Sequence, residues 1–285
     1  MNKLSIVIPC KDDGSKLELL LEKIIEQKIN AEILVVNDGS KDNTSGICAK
    51  YNVKEVTHPY NKGNGASIKS GANSASGDIL VFMDADNQHD PKYIKQMLEK
   101  LESGYDMIIA ARDYASHENF FRLVANKFYN SFSSYVVGNK VKDLTSGFRV
   151  VDAAKFREFI NILPNGFSYP TTITMAFYRA GYSVGFMPVK FNKRNSASHI
   201  KPLSDGIRFL LIIFKVGTLY SPLKVFFPVG IFHVITGFFY YLYTFVLYER
   251  FTNMSALLIS NGLIIFLIGL VAEQITALMY MKKNR

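Results

Sequence analysis

The sequence predicts an α/β domain built on a mostly parallel central sheet, followed by amphipathic segments at a membrane interface and by two transmembrane helices. Three observations support this fold class. Short apolar runs alternate with helical patterns from residue 4 to residue 189, as in the βα units of a parallel sheet. Polar residues directly follow several of these runs, where open α/β sheets bind ligands. Two long apolar stretches lie between residues 226 and 281.

Strands are assigned to short apolar runs that are bounded by turn residues. The runs at 4–9 and 79–83 are almost wholly apolar, as expected of strands that are buried on both faces. In chain order, the predicted strands are residues 4–9, 31–37, 53–58, 79–83, 107–111, a short strand that ends at Asp152, and 183–189.

Helices are expected where apolar residues recur every three or four positions. In residues 15–28 this spacing places Leu17, Leu20 and Ile24 on one face. Residues 119–137 repeat aromatic side chains at the same spacing, which fits either a core helix or a helix that lies in the membrane surface. The other helices are expected at residues 41–51, 67–76, 92–102 and 169–180.

Residues 226–248 contain no charged side chain and, at about 1.5 Å per residue, are long enough to cross a hydrocarbon core of roughly 30 Å. A second apolar segment, residues 256–281, follows a polar break at 249–255. Together they predict a transmembrane hairpin. The first apolar run, at 4–9, is short and is followed at once by charged residues, so no signal peptide is expected and the first 220 or so residues should stay in the cytosol.

The charge distribution predicts a multi-pass protein of the inner (cytoplasmic) membrane. Basic residues flank the outer ends of both spans, whereas the connecting loop has only Arg250 beside Glu249. The positive-inside rule therefore places both termini in the cytoplasm. The net charge of +9 predicts contact with anionic membrane lipids. No nucleic acid is expected as a partner. The predicted domains are a cytosolic domain at 1–200, an amphipathic interface segment at 201–222 and the hairpin at 223–285.

An acidic pair follows the fourth predicted strand. Asp84 and Asp86 come directly after the apolar run 79–83, and Gln88 continues their alternation. Residues two apart can turn to the same side of an extended backbone. Oxygen ligands of this kind suit Mg²⁺ or Mn²⁺ carried by a pyrophosphate. The alternative interpretation is a plain Asp/Asn-rich turn after a strand.

Two further loops fit ligand binding and also have ordinary explanations. The glycine-rich residues 61–66 lead into a helix whose first backbone amides can approach phosphates, with Lys62 adding charge. Glycine-rich loops before helices are nevertheless common. Residues 190–201 are basic and rich in Ser and Asn, as in a solvated charge run or in a contact with anionic lipid headgroups.

Five motifs occur in order along the chain. They are Val-Asn-Asp-Gly-Ser at 36–40, Asn-Lys-Gly at 61–63, Asp-Ala-Asp-Asn-Gln at 84–88, Thr-Ser-Gly-Phe-Arg at 145–149 and the basic residues of 194–201. Together with the paired spans they resemble the polyprenyl-phosphate hexosyltransferases of glycosyltransferase family 2. The resemblance implies a GT-A fold, a divalent metal, and inverting transfer of a hexose from a nucleotide-sugar donor to the phosphate of a membrane polyprenyl phosphate.

The resemblance also implies roles for single residues. The residues expected to hold the nucleotide-sugar are Pro9, Asp38, Lys62, Asp84 and Asp86. The residues expected to hold the metal are Asp84, Asp86 and Gln88. The residues expected to meet the acceptor phosphate are Arg112, Arg122, Arg194 and Lys201. The predicted catalytic set is Asp86, Arg112 and Asp143.

Asp143 has two interpretations, as a general base or as a cap of the turn at Thr145 and Ser146. A strong base is not required, because a phosphate monoester has a second pKa near 6 and is mostly ionised at neutral pH. The acceptor oxyanion instead needs cations that overcome repulsion from the donor phosphates, and guanidinium groups supply them with defined geometry.

Two other functions share the predicted donor site. A processive polysaccharide synthase usually carries a Gln-x-x-Arg-Trp motif and more spans, and this chain has no tryptophan. A non-catalytic nucleotide-sugar-binding partner of a lipid flippase would not need the acidic pair and the arginines together. A homo-oligomer is a further expectation, with the spans associating through Gly230, Gly237, Gly262 and Gly269.

Overall fold

The computed structural model describes residues 3–112, 120–166, 168–191, 214–215 and 217–281. The chain divides into two compact units. The first comprises Met1–Ser131 and Asn139–Ile200, and the second comprises Phe132–Gly138 and Lys201–Arg285. The predicted boundary at residue 200 lies outside the described residues, so the predicted domain limits stay predictions.

The first unit contains one seven-stranded sheet. Its strands are β1 (Leu4–Cys10), β2 (Glu32–Asn37), β3 (Lys54–Thr57), β4 (Ile79–Phe82), β5 (Met107–Arg112), β6 (Arg149–Asp152) and β7 (Val184–Val189). They lie in the order β3-β2-β1-β4-β6-β5-β7. Every pairing is parallel except those of β6, which is antiparallel to β4 and to β5. The predicted α/β class with a mostly parallel sheet is confirmed.

Seven α-helices occur in the described residues between 14 and 179. They are α1 (Gly14–Glu26), α2 (Thr44–Lys50), α3 (Asn64–Ser74), α4 (Ile94–Glu102), α5 (Phe120–Val137), α6 (Ala153–Glu158) and α7 (Tyr169–Arg179). The structure begins α2 later than predicted, because the Asp42 carboxylate accepts hydrogen bonds from the Gly14 amide (2.7 Å) and the Thr44 amide (3.2 Å). Helix α6 was not predicted; it starts directly after β6, where the Asp152 carboxylate accepts a hydrogen bond from the Lys155 amide at 2.9 Å.

The core lies between the sheet and the helices on its faces. Strand residues such as Ile8, Val81 and Ile108 have no exposed surface, and Leu20 of α1 and Met97 of α4 pack into the same cluster. Fully burying a side chain of this size contributes roughly 1.5–3 kcal/mol. The continuous apolar character of the central strands therefore follows from their burial on both faces.

The direction of β6 determines which residues reach the edge of the sheet at which β4 and β5 end, called the functional edge below. Its first residue, Arg149, pairs with Phe82 at the end of β4. Because β6 runs antiparallel, its beginning lies at the edge where β4 and β5 end. The polar turn at residues 143–148 therefore lies at this edge, between the segments that follow β4 and β5.

The second unit contains two long helices, α8 (Pro222–Tyr248) and α9 (Asn253–Met281). Both are long and apolar enough to cross a membrane. They begin a few residues earlier than predicted, and the break between them is correspondingly shorter. At the start of α8 the Leu223 amide donates to the Glu273 carboxylate of α9 at 3.2 Å. The acid within the second span thus satisfies a backbone donor that a helix leaves unpaired at its first turn.

The four glycines of the spans lie between α8 and α9 of the same chain. A Cβ on Gly230 would lie 2.9 Å from the Gly262 carbonyl oxygen, and one on Gly237 would lie 2.9 Å from the Ile259 side chain. A Cβ on Gly269 would lie 2.7 Å from the Phe226 side chain. The expectation that these glycines join different chains is corrected, since the hairpin itself covers them.

Gly262→Leu is expected to destabilise the hairpin, because a Cβ at this position would lie 2.6 Å from a Val234 methyl and 2.7 Å from the Gly230 carbonyl oxygen. Overpacking of this kind costs about 1–3 kcal/mol. The measurement is the unfolding temperature of the purified protein in detergent. Leu263→Ala is the matched control, because the neighbouring Leu263 side chain is exposed. Equal unfolding temperatures for Gly262→Leu and the wild type would contradict this packing.

Candidate active site

Four predicted site residues lie at one edge of the sheet. Pro9 is buried near the end of β1, Asp38 follows β2, Asp84 follows β4 and Arg112 ends β5. Parallel strands end at a common edge, where open α/β sheets bind ligands. The structure therefore brings these residues to the same side of the molecule, as their positions after predicted strands indicated.

The acidic pair lies on an ordered loop. Asp86 accepts a hydrogen bond from the Gln88 amide at 3.1 Å. Asn87 has a left-handed backbone (φ 60°), and its side chain donates to the Lys16 carbonyl of α1 at 2.6 Å. The chain turns at residues 85–86, so the predicted alternation along an extended backbone is corrected. The loop is held by its own turn and by α1.

The oxygen atoms of this loop fit a divalent metal. Asp84, Asp86 and Gln88 offer two carboxylates and one amide oxygen, and the Asp84 side chain is 33% exposed. In the described ranges, no group of three or more His, Cys, Asp or Glu side chains is placed to hold a metal. Mg²⁺ is usually held by one or two carboxylates together with water and substrate phosphates. The donor set therefore fits a metal that arrives with a diphosphate.

His89 contacts the backbone of the acidic loop. It is buried, and burial lowers the pKa of its imidazole to about 4 despite the opposing attraction of Asp86. The ring is thus neutral at neutral pH, and its Nδ1 accepts a hydrogen bond from the Asp84 amide at 3.1 Å. It also stacks on Phe148, with 5.1 Å between ring centroids. His89 was not among the predicted site residues, although it directly follows the motif at 84–88.

The turn at residues 143–148 connects the acidic loop to Arg112. One Asp143 carboxylate oxygen accepts from the Thr145 amide (3.1 Å) and hydroxyl (3.0 Å), and the other accepts from the Arg112 amide (3.2 Å). That second oxygen lies 3.5 Å from Arg112 Nε. These contacts fit the interpretation of Asp143 as a cap of the turn.

The same turn lies against Asp84. A Cβ on Gly147 would lie 2.7 Å from Asp84 Oδ2 and 3.3 Å from Oδ1. A real Cβ does not approach an oxygen so closely, so the carboxylate can occupy this position only because residue 147 is glycine. Gly147 is therefore part of the acidic site, although it has no side chain.

Asp38 holds two loops together. Its buried carboxylate accepts hydrogen bonds from His58 Nδ1 (2.7 Å), the Lys62 amide (2.8 Å) and the Gly63 amide (2.8 Å). Burial alone would raise the pKa of this carboxyl, and these hydrogen bonds hold it below its usual value. On its other side, His58 Nε2 lies 2.8 Å from the Ser70 hydroxyl of α3. The chain of contacts from buried Asp38 through buried His58 to Ser70 thus fixes the loop that enters α3.

These contacts correct the interpretation of the glycine-rich loop. The amides of Lys62 and Gly63 donate to Asp38, and the Ala66 amide donates to the Asn165 carbonyl at 3.1 Å. The helix begins within the motif, at Asn64. Three of the amides that were expected to approach phosphates are therefore used by the protein itself. The exposed Lys62 ammonium lies 5.7 Å from the centre of the Tyr60 ring.

The predicted acceptor residues are only partly covered by the structure. The Arg112 side chain is 35% exposed, and its guanidinium lies 5.5 Å from the centre of the Phe191 ring. Arg122 belongs to α5, and its side chain is not among those the structure describes. Arg194 and Lys201 lie outside the described residues. Their assigned roles stay predictions.

Comparison with known families identifies the class of this protein. The sequence pattern of glycosyl transferase family 2 matches residues 5–161, and that of the GtrB C-terminal hairpin matches residues 221–278. The chain therefore belongs to glycosyl transferase family 2, and it is a glycosyltransferase with a GT-A fold. The predicted family, fold and enzyme class are confirmed.

Individual relatives agree with this class. The chain is 30% identical over 190 residues to undecaprenyl-phosphate 4-deoxy-4-formamido-L-arabinose transferase of Proteus mirabilis, over 60% of this chain and 58% of that protein. It is 26% identical over 204 residues to polyprenol monophosphomannose synthase of Mycolicibacterium smegmatis, over 66% and 77% of the two chains.

A solved structure shares the fold. It is glucosyl-3-phosphoglycerate synthase from Mycobacterium tuberculosis in complex with Mn²⁺, UDP-glucose and phosphoglyceric acid. The TM-score is 0.62 at 17% identity, over 76% of this chain and 80% of that chain. At this identity the likeness shows the fold alone.

His58→Ala is expected to lower the free energy of unfolding by roughly 1.5–3 kcal/mol, because it removes a buried hydrogen bond to an ionised carboxylate. Ser70→Ala, the matched control, breaks only the outer bond of the chain and should cost about 0.5–1.5 kcal/mol. Both are measured by thermal unfolding in detergent. A larger loss for Ser70→Ala than for His58→Ala would contradict the proposed chain of contacts.

The pKa of Asp38 is lowered on folding, so Asp38 contributes to the free energy of unfolding above about pH 4, and this contribution is lost as the pH falls further.

Proposed function

We propose that this protein transfers a hexose from a UDP- or GDP-hexose to the phosphate of a membrane polyprenyl phosphate, with inversion at the anomeric carbon. The product is a polyprenyl-phosphate sugar for modification of cell-envelope glycans or glycolipids. Support comes from the family, from relatives whose names specify undecaprenyl phosphate or polyprenol, and from the C-terminal hairpin.

The observation that carries this proposal is the turn at 143–148, which contacts a carboxylate loop on one side and an arginine on the other. Gly147 lies against Asp84, and Asp143 contacts Arg112. Only β6 separates β4 from β5 in the sheet, so the ends of those strands are about 10 Å apart. An anionic donor held at the acidic loop and an anionic acceptor held at Arg112 would therefore meet between these two strand ends.

The residues divide the chemistry between donor and acceptor. Asp84, Asp86 and Gln88 would hold Mg²⁺ or Mn²⁺, which when bound neutralises charge on the leaving nucleoside diphosphate. Arg112 would bind the acceptor phosphate, with its guanidinium oriented by Asp143. A phosphate oxygen then forms a bond to the anomeric carbon from the face opposite the diphosphate, as the bond from that carbon to the diphosphate oxygen breaks.

No protein base is needed for this reaction, because the acceptor phosphate is mostly ionised at neutral pH. Asp143, which the catalytic prediction included, would act by positioning Arg112. Asp38 would act by fixing the loop beside the nucleoside, since its carboxylate already accepts three hydrogen bonds from the protein. Pro9 and Lys62 are the residues proposed to contact the nucleoside directly.

The hairpin would hold the enzyme in the cytoplasmic membrane, with the sheet domain and both termini on the cytoplasmic side. This orientation rests on the basic residues that flank the spans. Membrane attachment would bring the sheet domain close to the phosphate of a lipid acceptor. Arg122, Arg194 and Lys201 are proposed to assist Arg112 there.

Purified protein with Mg²⁺ or Mn²⁺ is expected to convert a nucleotide hexose into a chloroform-soluble product only when polyprenyl phosphate is present. The measurement is a panel of UDP- and GDP-sugars with mass analysis of the lipid product. Asp86→Ala should abolish turnover, because it removes a proposed metal ligand. Asp78→Ala is the matched control. Asp78 is exposed and directly precedes β4, at the end of the strand opposite to Asp86, so this variant should retain activity.

The other outcomes of this panel have separate meanings. Product that lengthens without polyprenyl phosphate would identify a processive polysaccharide synthase. Binding of a nucleotide-sugar with no product in any combination would identify a non-catalytic binding partner. Full activity of Asp86→Ala would contradict the assignment of the metal.

Arg194→Ala is expected to raise the KM for polyprenyl phosphate by roughly tenfold, the loss of one charge-assisted hydrogen bond, and to leave the KM for the donor nearly unchanged. Steady-state kinetics with each substrate varied in turn provide the measurement. Arg179→Ala, which removes an arginine in the last turn of α7, is the matched control. An unchanged KM for the lipid would show that the basic loop does not bind the acceptor phosphate.

A further inference from the structure

Arg149 is a buried charge at the centre of the functional edge. It has no exposed surface, and it is the first residue of β6. In the sheet it pairs with Phe82 of β4 and with Ile109 of β5. It therefore lies between the strand that leads to the acidic pair and the strand that ends at Arg112.

The guanidinium of Arg149 connects the turn at 143–148 to α7. Nη2 donates to the Ser146 carbonyl oxygen. Nη1 donates to the Pro170 carbonyl (3.2 Å) and to the Thr174 hydroxyl (3.2 Å), both in α7. The group also lies over the Tyr169 ring, 5.8 Å from its centre. Nη1 also lies 3.8 Å from the Met107 sulfur of β5. One side chain thus holds three oxygen acceptors, one in the turn and two in α7.

Stability alone does not account for this arginine. Removing an ion from water costs several kcal/mol, and among the described residues no carboxylate lies within 4.0 Å of the Arg149 nitrogens. Burial lowers the pKa of its guanidinium, while Tyr169, Asp143 and Asp84 oppose that shift electrostatically. An apolar side chain at this position would avoid the cost of desolvation. The guanidinium lies near the carboxylates of Asp84 and Asp143, and this position indicates a role in the site.

A short path of contacts leads from Arg149 to Asp84. The Ser146 carbonyl that accepts from Arg149 belongs to the peptide bond that links Ser146 to Gly147. Gly147 in turn lies against the Asp84 carboxylate. Movement of this peptide would change the surface on which the carboxylate rests.

We propose that Arg149 is a positioning residue for the Asp84 carboxylate, acting by anchoring the Ser146–Gly147 peptide to α7. This inference rests on the proposed function, in which Asp84 holds the metal. Groups that orient a metal ligand from behind typically change metal affinity by 10–100-fold when they are replaced. Arg149 would not touch the substrate, and its effect would pass through the turn.

Arginine is the side chain that this arrangement requires. Its planar guanidinium presents five donors in a fixed fork, so that one group can reach both the turn and α7. Lysine keeps the charge but presents three donors from a single nitrogen. Arg149→Lys therefore separates the anchoring of the turn from the positive charge.

The test compares the wild type, Arg149→Lys and Arg157→Lys as full-length proteins purified in detergent. Mn²⁺ affinity is measured by electron paramagnetic resonance with UDP or GDP present, and hydrogen exchange of residues 143–148 is measured without metal. Arg149→Lys is expected to bind Mn²⁺ about tenfold more weakly or worse, and to exchange faster in the turn. Arg157 is the matched control, because it also donates to backbone carbonyls, those of Ala72 (2.9 Å) and Ala75 (2.7 Å), but not to the turn.

Gly147→Ala provides a second variant that leaves Arg149 intact, and it keeps the proposal open to refutation if Arg149→Lys does not fold, because it tests the contact between Gly147 and Asp84. Its methyl group would lie 2.7 Å from Asp84 Oδ2, so Mn²⁺ affinity should again fall by about tenfold. Unchanged Mn²⁺ affinity or unchanged turn exchange in folded Arg149→Lys, or unchanged affinity in Gly147→Ala, would overturn the proposal. A wild type that binds no Mn²⁺ with either nucleotide would instead overturn the proposed metal site, and this inference with it.

Discussion

The antiparallel direction of β6 is the constraint on which the functional edge depends. In a sheet whose other pairings are all parallel, this one strand begins where its neighbours β4 and β5 end. The turn that precedes it is therefore inserted between the acidic loop and Arg112. A parallel strand at the same place would present its end there instead, and the contacts of Gly147 and Asp143 would be lost.

Acidic side chains at this edge serve two different purposes. Asp38 and Asp143 are buried, and each accepts hydrogen bonds from two backbone amides. A buried carboxylate is tolerated only when such donors compensate for its lost hydration. Asp84 is instead partly exposed at this edge of the sheet. Sequence alone gives all of these residues the same chemistry, and burial separates the ones that shape the loops from those that can meet a ligand.

The hairpin obtains its packing in a different way from the sheet domain. Its two helices are long and apolar enough to cross a membrane. In lipid, apolar surface gains little by burial, so helices there associate through close contact of small residues and through hydrogen bonds. Here Gly230 and Gly262 allow the two backbones to approach, and Glu273 accepts from the amide of Leu223 at the start of α8. The glycines and the acid of the spans thus have a common structural use within one chain.

Local sequence determined most of the elements of this protein, although not α6. Apolar runs, helical periodicity and the position of polar residues after strands were enough to predict β1, β2, β4 and the edge at which Asp84 and Arg112 lie, because these features depend on neighbours in the chain. The tertiary structure decided what those residues contact. The antiparallel β6, the use of the Lys62 and Gly63 amides by Asp38, and the burial of Arg149 all arise from partners distant in sequence, and no local pattern encodes such pairings.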